Sequence, residues 1–387
     1  MILDISDNAF KNIFSNKKFN LPIRWDGNDF EKALKDLFQE YCFQVCLQQQ
    51  GPNCSLSAYW QFNSGQLENR VGCKDNDCIS NSIKTVCNQI LRIIKAYLSG
   101  FPSKAYNIFG NLMKTVIQNP IKIYPKNDWT NVFENNDPLS LFRVVNVVEN
   151  TIQPRSRVFH TPYNLRTKVG TNRYSIAGFP SLYLGTSINL CLEELRCNPY
   201  QQHALCSKFE IVRDIYKNRT EIDVIELGIK PQDFFGEIND NDFDSRIRRI
   251  DRNLLNSPNV RQAYLLWFPI IAASSFIRAN KQDPFAPEYI VPQLIMQWIR
   301  KQYDGYENKL YGIRYFSCSS VKASDLGFNY VFPTSGKRHQ LSPNFCQVLA
   351  DSFLLSQPVY IHEFGKIEDC EKYLNEASSV EMKYVYE

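Results

Sequence analysis

Several features that would assign a protein class at once are absent from this 387-residue sequence. The N-terminal stretch MILDISDNAFKN has no basic segment followed by an apolar one, so we expect no secretion leader. The longest apolar run, Leu265–Ala273 extended loosely to Ile277, is too short for a membrane span and indicates a buried segment. No Gly-x-Gly-x-x-Gly or P-loop pattern occurs, which argues against the common nucleotide-binding loops. We therefore expect a cytoplasmic protein with no membrane partner.

A strong charge of either sign is also missing. The formal net charge is only +4, with 22% charged and 44% hydrophobic residues. Such a mild balance creates no basic field, so we expect no nucleic-acid partner. The composition is typical of a globular chain that buries a full core, and the length suits two domains.

Tight metal-binding knuckles are missing as well, although the chain has 12 cysteines. Without a leader we expect these thiols to be mostly reduced. Six of them crowd together near the N-terminus: Cys42, Cys46, Cys54, Cys73, Cys78 and Cys87. A zinc site is one interpretation, but the C-x2-C spacing of structural zinc is absent. Cysteine as a small apolar core residue is the favoured interpretation, and we assign no metal ligands.

The first part of the chain has the periodicity of helices. Apolar residues recur three and four positions apart over Phe30–Leu47 and Ser82–Leu98. Gly100-Phe101-Pro102 ends the second helix, and Ser103 suits the N-cap of a third helix that runs to Val116. We expect residues 1–20 to be weakly ordered.

A polar stretch with three prolines, residues 119–140, marks the predicted domain boundary. We therefore predict a helical, cysteine-containing domain over 1–135 and a second domain over 136–387.

Strand and helix patterns alternate irregularly in the second domain. The predicted strands are Leu141–Val148, Ser181–Gly185, Ala204–Val212, Asp223–Leu227, Gly312–Cys318 and Val359–Glu363, and the predicted helices are Ser187–Cys197, Pro292–Lys301 and Phe345–Leu355. This order lacks the regular period of a Rossmann fold. It predicts an α+β domain with a mixed, curved sheet.

Within this domain, the stretch Thr171–Cys197 combines an arginine, a tyrosine and a glutamate around one strand and one helix. Strand alternation puts Leu182 and Leu184 on one face and Tyr183 on the other. Behind a Ser187 N-cap, the positions Ile188, Cys191, Leu192 and Leu195 form one apolar helix face.

Helical geometry also separates the two adjacent glutamates of this helix. Glu194 falls at the edge of the apolar stripe, where it can point into a cleft, whereas Glu193 is predicted to face solvent. Taken alone, these residues are more typical of ordinary strand and surface positions than of an active site.

Two distant stretches change that balance. Arg143 lies within the first strand of the domain, and Gly312-Ile313-Arg314-Tyr315-Phe316-Ser317 forms a late strand. Together with Arg173-Tyr174, Leu182-Tyr183-Leu184 and Glu194, these pieces follow the order and spacing of the RES domain, which this chain resembles over roughly 141–320. The stretches 153–169 and 215–280 are longer than a minimal RES domain requires. The roles of Arg143, Arg157, Arg166 and Arg173 are therefore less secure than those of Tyr183 and Glu194.

The resemblance implies a fold like that of ADP-ribosyltransferases and attack on NAD at the nicotinamide–ribose bond. Guanidinium groups suit the pyrophosphate of NAD, with Arg173 and Arg143 as candidates. Tyr183 offers a ring for nicotinamide stacking. Glu194 would bind a ribose hydroxyl and stabilise the developing positive charge, and Ser317 would supply a neutral hydrogen bond.

Three functions stay open at this point. The first is an NAD-consuming toxin or defence effector, acting as an NAD phosphorylase or glycohydrolase. The second is a protein ADP-ribosyltransferase with the same pocket, and the third is a non-catalytic interaction protein on a RES scaffold. An active enzyme of this kind implies an antitoxin or another inhibitory protein as partner. A homodimer is one of the oligomeric states left open.

For three further features, a structural role is favoured over a functional one. His160 is favoured as a packing or solvent histidine over a pocket residue. The basic stretch Arg246–Arg252 reads as a solvated helix face, with a partner contact as the alternative. Ser274 and Ser275 suit a helix end rather than catalysis.

Overall fold

The computed structural model describes residues 7–48, 79–116, 140–148, 151–211, 221–235, 255, 258–302, 309–338, 340 and 343–381. Residue contacts divide the chain into two compact units. The first is made of Met1–Ile123, Lys230–Glu237 and Asp251–Leu294, and the second of Tyr124–Ile229, Ile238–Ile250 and Ile295–Glu387. The predicted boundary near residue 135 lies outside the described residues and stays a prediction.

Helices and strands are numbered along the described chain. The helices are α1 (Asp7–Phe14), α2 (Phe30–Gln48), α3 (Ile79–Leu98), α4 (Pro102–Val116), α5 (Ile188–Leu195), α6 (Pro258–Ala273), α7 (Ile290–Gln302), α8 (Gln347–Ser352) and α9 (Ile367–Glu376). The strands are β1 (Ser140–Val147), β2 (Ser181–Gly185), β3 (His203–Ile211), β4 (Glu221–Leu227), β5 (Lys309–Tyr315), β6 (Asn329–Pro333), β7 (Phe353–Ser356), β8 (Val359–Tyr360) and β9 (Ser379–Glu381).

The first unit is helical, as predicted for the N-terminal region. Its rings form an aromatic core in which Tyr41 of α2 packs 4.6 Å from Phe268 of α6, and the Tyr41 hydroxyl donates to the Leu265 carbonyl at 2.8 Å. For residues 7–20 the expectation of weak order was wrong, because Phe10 and Phe14 on α1 are buried, whereas residues 1–6 lie outside the described residues. An amphipathic turn gains order when its apolar face has a core to enter.

The start of α4 also differs from the prediction. The helix begins at Pro102 rather than after a Ser103 cap. Proline suits this first turn because its missing N–H needs no partner there. The apolar run Leu265–Ala273 lies in α6 and is buried. In the described part of the chain, no helix is long and apolar enough to cross a membrane.

The second unit contains one mixed sheet. Within the described residues its strand order is β4-β5-β6-β2-β1-β3-β7-β9, with β8 paired to β3. Strands β4 and β5 run parallel, and the other paired strands are antiparallel. The α+β class with a mixed sheet and a helical N-terminal region is therefore confirmed.

Three predicted elements end differently in the structure. The strand Gly312–Cys318 ends at Tyr315, so Ser317 lies beyond it. The helix Phe345–Leu355 is wrong in its second half, because Phe353–Ser356 forms β7 and pairs with β3. Only Val359–Tyr360 of the predicted last strand is extended in the sheet. A segment with a local helical pattern can become a strand when it pairs with another strand, and a distant partner strand is not visible in the local sequence.

One face of the sheet is covered by α5 and α9. Phe142 and Val144 of β1 pack against Ile188 and Cys191 of α5 in a shared apolar cluster. The same cluster takes in Leu374 of α9. This packing fixes α5, and with it the residues that follow, against the middle of the sheet.

Candidate active site

Strand alternation decides which side chains share the sheet face beneath α5. A Cβ atom placed on Gly185 would meet the Cys191 Sγ at 2.7 Å, so this face of β2 is turned toward α5. Tyr183 lies two residues earlier on the same face, whereas Leu182 and Leu184 are buried on the other. The predicted alternation is therefore confirmed. Because Asn329 is in register with Gly185, β6 adds that residue to the face.

The helix α5 begins as the sequence predicts. Ser187 is its N-cap, and the Ser187 Oγ accepts from the Leu190 N–H at 3.2 Å. The Glu371 carboxylate also caps this end of the helix, since its Oε2 accepts from the Ile188 N–H at 3.1 Å.

The end of α5 is earlier than predicted. The helix stops at Leu195, because Arg196 adopts a left-handed conformation (φ 52°) and its N–H bonds back to the carbonyls of Leu192 and Glu193. Leu195 was expected to be buried, but it is 42% exposed. The last turn therefore reaches beyond the part of the helix that packs on the sheet.

The two adjacent glutamates of this last turn have different partners. Glu194 is exposed, but its Oε1 accepts a hydrogen bond of 2.7 Å from the Asn329 Nδ2. Glu193 is half-buried and lies 3.6 Å from the Lys322 Nζ. The predicted order of exposure was thus wrong. Glu194 nevertheless reaches a side chain of the sheet, while the cleft predicted beside it stays a prediction.

A tight turn before β2 carries the arginine of the stretch. Asn172 and Ser175 exchange backbone hydrogen bonds of 3.2 and 3.1 Å, which leaves Arg173 and Tyr174 at the tip. Arg173 is 9% exposed and Tyr174 is 1% exposed. The Ser175 Oγ and the Tyr183 hydroxyl share a hydrogen bond of 2.6 Å, which fixes the outer end of the Tyr183 ring.

Tyr315, at the end of β5, is in register with Asn329 and packs against Tyr174. Its ring centroid is 4.6 Å from that of Tyr174. Burial raises the pKa of Tyr315 well above its usual value of 10, and the charges of Glu194, Tyr183 and Tyr174 raise it further, whereas Arg173 lowers it. The structure therefore brings Arg173, Tyr183 and Glu194 within electrostatic reach of one neutral phenol.

Tyr315, Ser175 and Asn329 are not among the residues predicted for the site from the sequence. Tyr315 belongs to the Gly-Ile-x-Tyr pattern and could have been found there. Asn329 gave no signal, because β6 itself was not predicted.

Arg143 is placed differently from the other predicted site residues. Because Phe142 and Val144 of β1 pack with α5, alternation directs Arg143 to the opposite face. Its Nη1 donates to the Tyr183 carbonyl at 2.9 Å, and its buried Nε has no hydrogen-bond partner in the described structure. Burial lowers the pKa of this guanidinium to about 10. Arg143 therefore binds the backbone of the strand that carries Tyr183 and does not lie on the sheet face with Tyr183, Asn329 and Tyr315.

Ser317 lies two residues beyond the end of β5 and is fully buried. Its Oγ shares a hydrogen bond of 2.8 Å with the Ser319 Oγ and accepts one of 3.2 Å from the Ser319 N–H. These contacts hold the segment that follows Tyr315.

His160 has both ring nitrogens engaged and no exposed surface. Its Nδ1 bonds to the Thr161 carbonyl at 2.8 Å, and its Nε2 accepts from the Cys346 N–H at 2.9 Å. Burial lowers the pKa of His160 to about 4, and the nearby Arg143 charge lowers it too. The ring is therefore neutral and acts in packing.

The cysteine cluster and the basic stretch can be followed only in part. Cys42 and Cys87 are buried, and burial together with the neighbouring Cys42 raises the pKa of Cys87 well above its usual value. Cys54, Cys73 and Cys78 lie outside the described residues, as does Arg246–Arg252. Among the residues that the structure describes, no group of three or more His, Cys, Asp or Glu side chains is arranged to hold a metal ion.

Comparison with known proteins gives one similarity. No protein-family model matches the chain, and no solved structure matches it. The chain is 26% identical over 358 residues to a protein of Bacillus subtilis (strain 168) described as "Putative toxin YopC". The aligned region covers 91% of this chain and 71% of that protein. This chain is therefore similar, over nearly its whole length, to a protein whose description is "Putative toxin".

Proposed function

We propose that this chain is a toxin that cleaves NAD at the bond between nicotinamide and ribose. The observation that carries the proposal is that the Tyr183 ring and the Glu194 carboxylate are both held at the same side of the sheet, Tyr183 by Ser175 and Glu194 by Asn329. A half-buried ring and an oriented carboxylate, with the cation Arg173 in the turn that leads into the strand of Tyr183, suit the cleavage of NAD. The similarity to a protein described as a toxin supports a harmful activity.

The chemistry of the cleavage follows from the leaving group. The bond from the anomeric carbon to the nicotinamide nitrogen breaks, and its electron pair leaves with the nitrogen. The ribose then resembles an oxocarbenium ion, as in glycoside hydrolysis. The Glu194 carboxylate binds a ribose hydroxyl and stabilises this positive charge, which develops only in the transition state. An acceptor oxygen adds to the same carbon and releases its proton.

The remaining residues of the group bind and orient NAD in this proposal. Arg173 forms paired hydrogen bonds with pyrophosphate oxygens. Tyr183, whose hydroxyl is held by Ser175, stacks against the nicotinamide ring. Ser317 donates a neutral hydrogen bond to phosphate or ribose. Arg143 was expected to bind phosphate, but it lies on the opposite face of the sheet, so its part in the proposal is the bond to the Tyr183 carbonyl, which supports the strand that carries the stacking ring.

The acceptor sets the type of enzyme. Phosphate gives an NAD phosphorylase, water gives a glycohydrolase, and a protein side chain gives a protein ADP-ribosyltransferase. An enzyme that drains NAD harms the cell that makes it, so the proposal includes an antitoxin or another inhibitory protein as partner.

The test is NAD consumption by the purified full chain, with and without phosphate. Glu194→Gln keeps the shape and a hydrogen-bonding group but removes the charge, so kcat should fall by about 100-fold or more. Glu193→Gln is the matched control on the same helical turn and should keep normal turnover. Unchanged turnover in Glu194→Gln would remove Glu194 from the mechanism.

Product analysis separates the acceptors. Free nicotinamide should appear in equal amount to NAD lost, together with ADP-ribose or its phosphate ester. Transfer of the ADP-ribose label to protein would instead favour the protein ADP-ribosyltransferase.

A further inference from the structure

We propose that Asn329 is a positioning residue that sets the orientation of the Glu194 carboxylate for catalysis. The inference rests on the proposed function of Glu194. Its observation is the hydrogen bond of 2.7 Å from the Asn329 Nδ2 to the Glu194 Oε1. Asn329 is 5% exposed, whereas Glu194 is exposed. A buried side chain of the sheet therefore holds a carboxylate that lies at the surface.

The position of Asn329 in the sheet is fixed from both sides. It is the first residue of β6, in register with Gly185 of β2 and with Tyr315 of β5. Residues in register on antiparallel strands share a face, so Asn329 and Tyr315 are neighbours on the sheet face that α5 covers. Its Cα cannot shift without breaking two strand ladders.

The segment before Asn329 is tied to the start of α5. The Thr186 N–H donates to the Phe328 carbonyl at 3.0 Å, and the Phe328 N–H donates to the Thr186 Oγ1 at 2.9 Å. Gly327 has a φ of +150°, and a Cβ atom there would collide with the same Oγ1. Glycine is therefore needed for this close approach. The strand that carries Asn329 and the helix that carries Glu194 are thus joined at two places.

Glu194 needs such a partner because of where it lies. It belongs to the last turn of an eight-residue helix, and an exposed glutamate side chain samples several rotamers. The bond to Asn329 engages Oε1 and leaves Oε2 for a ribose hydroxyl. A neutral amide orients the carboxylate without an opposing charge, so the full negative charge stays available for the oxocarbenium ion.

The experiment compares Asn329→Asp and Asn329→Ala with wild type, using NAD as substrate, over a range of pH. Asn329→Asp has nearly the same shape but loses the donor, so kcat should fall by roughly 10–100-fold, while KM changes much less. As the pH falls, a proton shared between the two carboxyl groups restores a donor, and Asn329→Asp should regain part of its activity. Asn329→Ala should lose kcat to a similar degree without that recovery in acid.

Thermal unfolding of each variant and the Glu193→Gln control complete the design. A purely structural Asn329 would lower the melting temperature but would not produce recovery of kcat in acid for Asn329→Asp alone. If wild type turns over NAD and both Asn329 variants keep kcat within twofold, the inference is wrong while the proposed function stands. If wild type and Glu193→Gln both leave NAD intact, the proposed function and this inference fall together. If Asn329→Asp does not fold, the kcat of Asn329→Ala decides alone.

Discussion

At the scale of single residues, the second unit contains charged side chains that are buried but well partnered. Lys208 is 2% exposed, and its Nζ donates to the carbonyls of Asn375 and Ala377 at 3.0 and 2.9 Å. A cation at the C-terminal end of α9 suits both the free carbonyls and the helix dipole. Arg314 is fully buried against Glu226 and lies 4.1 Å from the Phe328 ring. Such groups fix the sheet because leaving either one unpaired would be costly.

His160 makes stability depend on pH at this scale. Its folded-state pKa of about 4 lies below the ordinary value of 6.5, so the folded protein binds fewer protons than the unfolded chain. The stability that neutral His160 contributes is therefore fully present above pH 6.5 and is lost as the pH falls toward 4. Between pH 7 and pH 5 this residue should cost about 2 kcal/mol of unfolding free energy.

Denaturant titrations at several pH values measure this effect. His160→Gln cannot titrate, so its stability at pH 7 will be lower but should decline less in acid than that of wild type. Equal losses in the two proteins between pH 7 and pH 5 would show that other groups cause the acid sensitivity.

At the scale of elements, α5 is short and depends on its termini. An isolated helix of this length is unstable, so tertiary packing and caps must hold it. Its N-terminal N–H groups are satisfied by Ser187 and Glu371, and its end is fixed by the left-handed Arg196. The orientation of Glu194 depends on both ends.

Loss of the cap should therefore be measurable. Ser187→Ala removes the acceptor for the buried Leu190 N–H and also the hydrogen bond of 3.3 Å to the Leu326 carbonyl. We expect a loss of about 1–2 kcal/mol in unfolding free energy, measured by chemical denaturation. Ser187→Thr keeps the hydroxyl and should be close to wild type. A loss as large in Ser187→Thr would point to steric crowding instead.

Prediction of elements succeeded where one side of an element is regularly apolar. Ser181–Gly185 was predicted with its bounds, and Ser187 was predicted as the N-cap. It failed for Phe353–Ser356, whose strand conformation comes from pairing with β3 far away in sequence. It also missed β6, where all five positions are buried and no alternation is visible.

At the scale of the whole molecule, the proposed activity has a cellular consequence. Expression of the full chain in bacteria without an inhibitor should arrest growth, and cellular NAD should fall before growth stops. Glu194→Gln, produced at the same level, should allow normal growth. Cell density, NAD content and protein abundance followed over time measure this.

Two outcomes would contradict that expectation. If growth still stops when Glu194→Gln is produced, the toxicity does not depend on the Glu194 carboxylate. Arrest with constant NAD would point away from NAD depletion and toward modification of a protein target.

The sequence by itself determined the α+β class, the strand of Tyr183 and the helix of Glu194, because these follow from local periodicity and capping. It also suggested which residue types belong together, through the resemblance of separate motifs. Only the tertiary structure decided that Arg143 lies on the other face, that Tyr315 shares a face with Tyr183 and Asn329, and that Asn329 holds the Glu194 carboxylate. Such contacts depend on strand order and register, which join residues 40 to 135 positions apart and leave no local pattern.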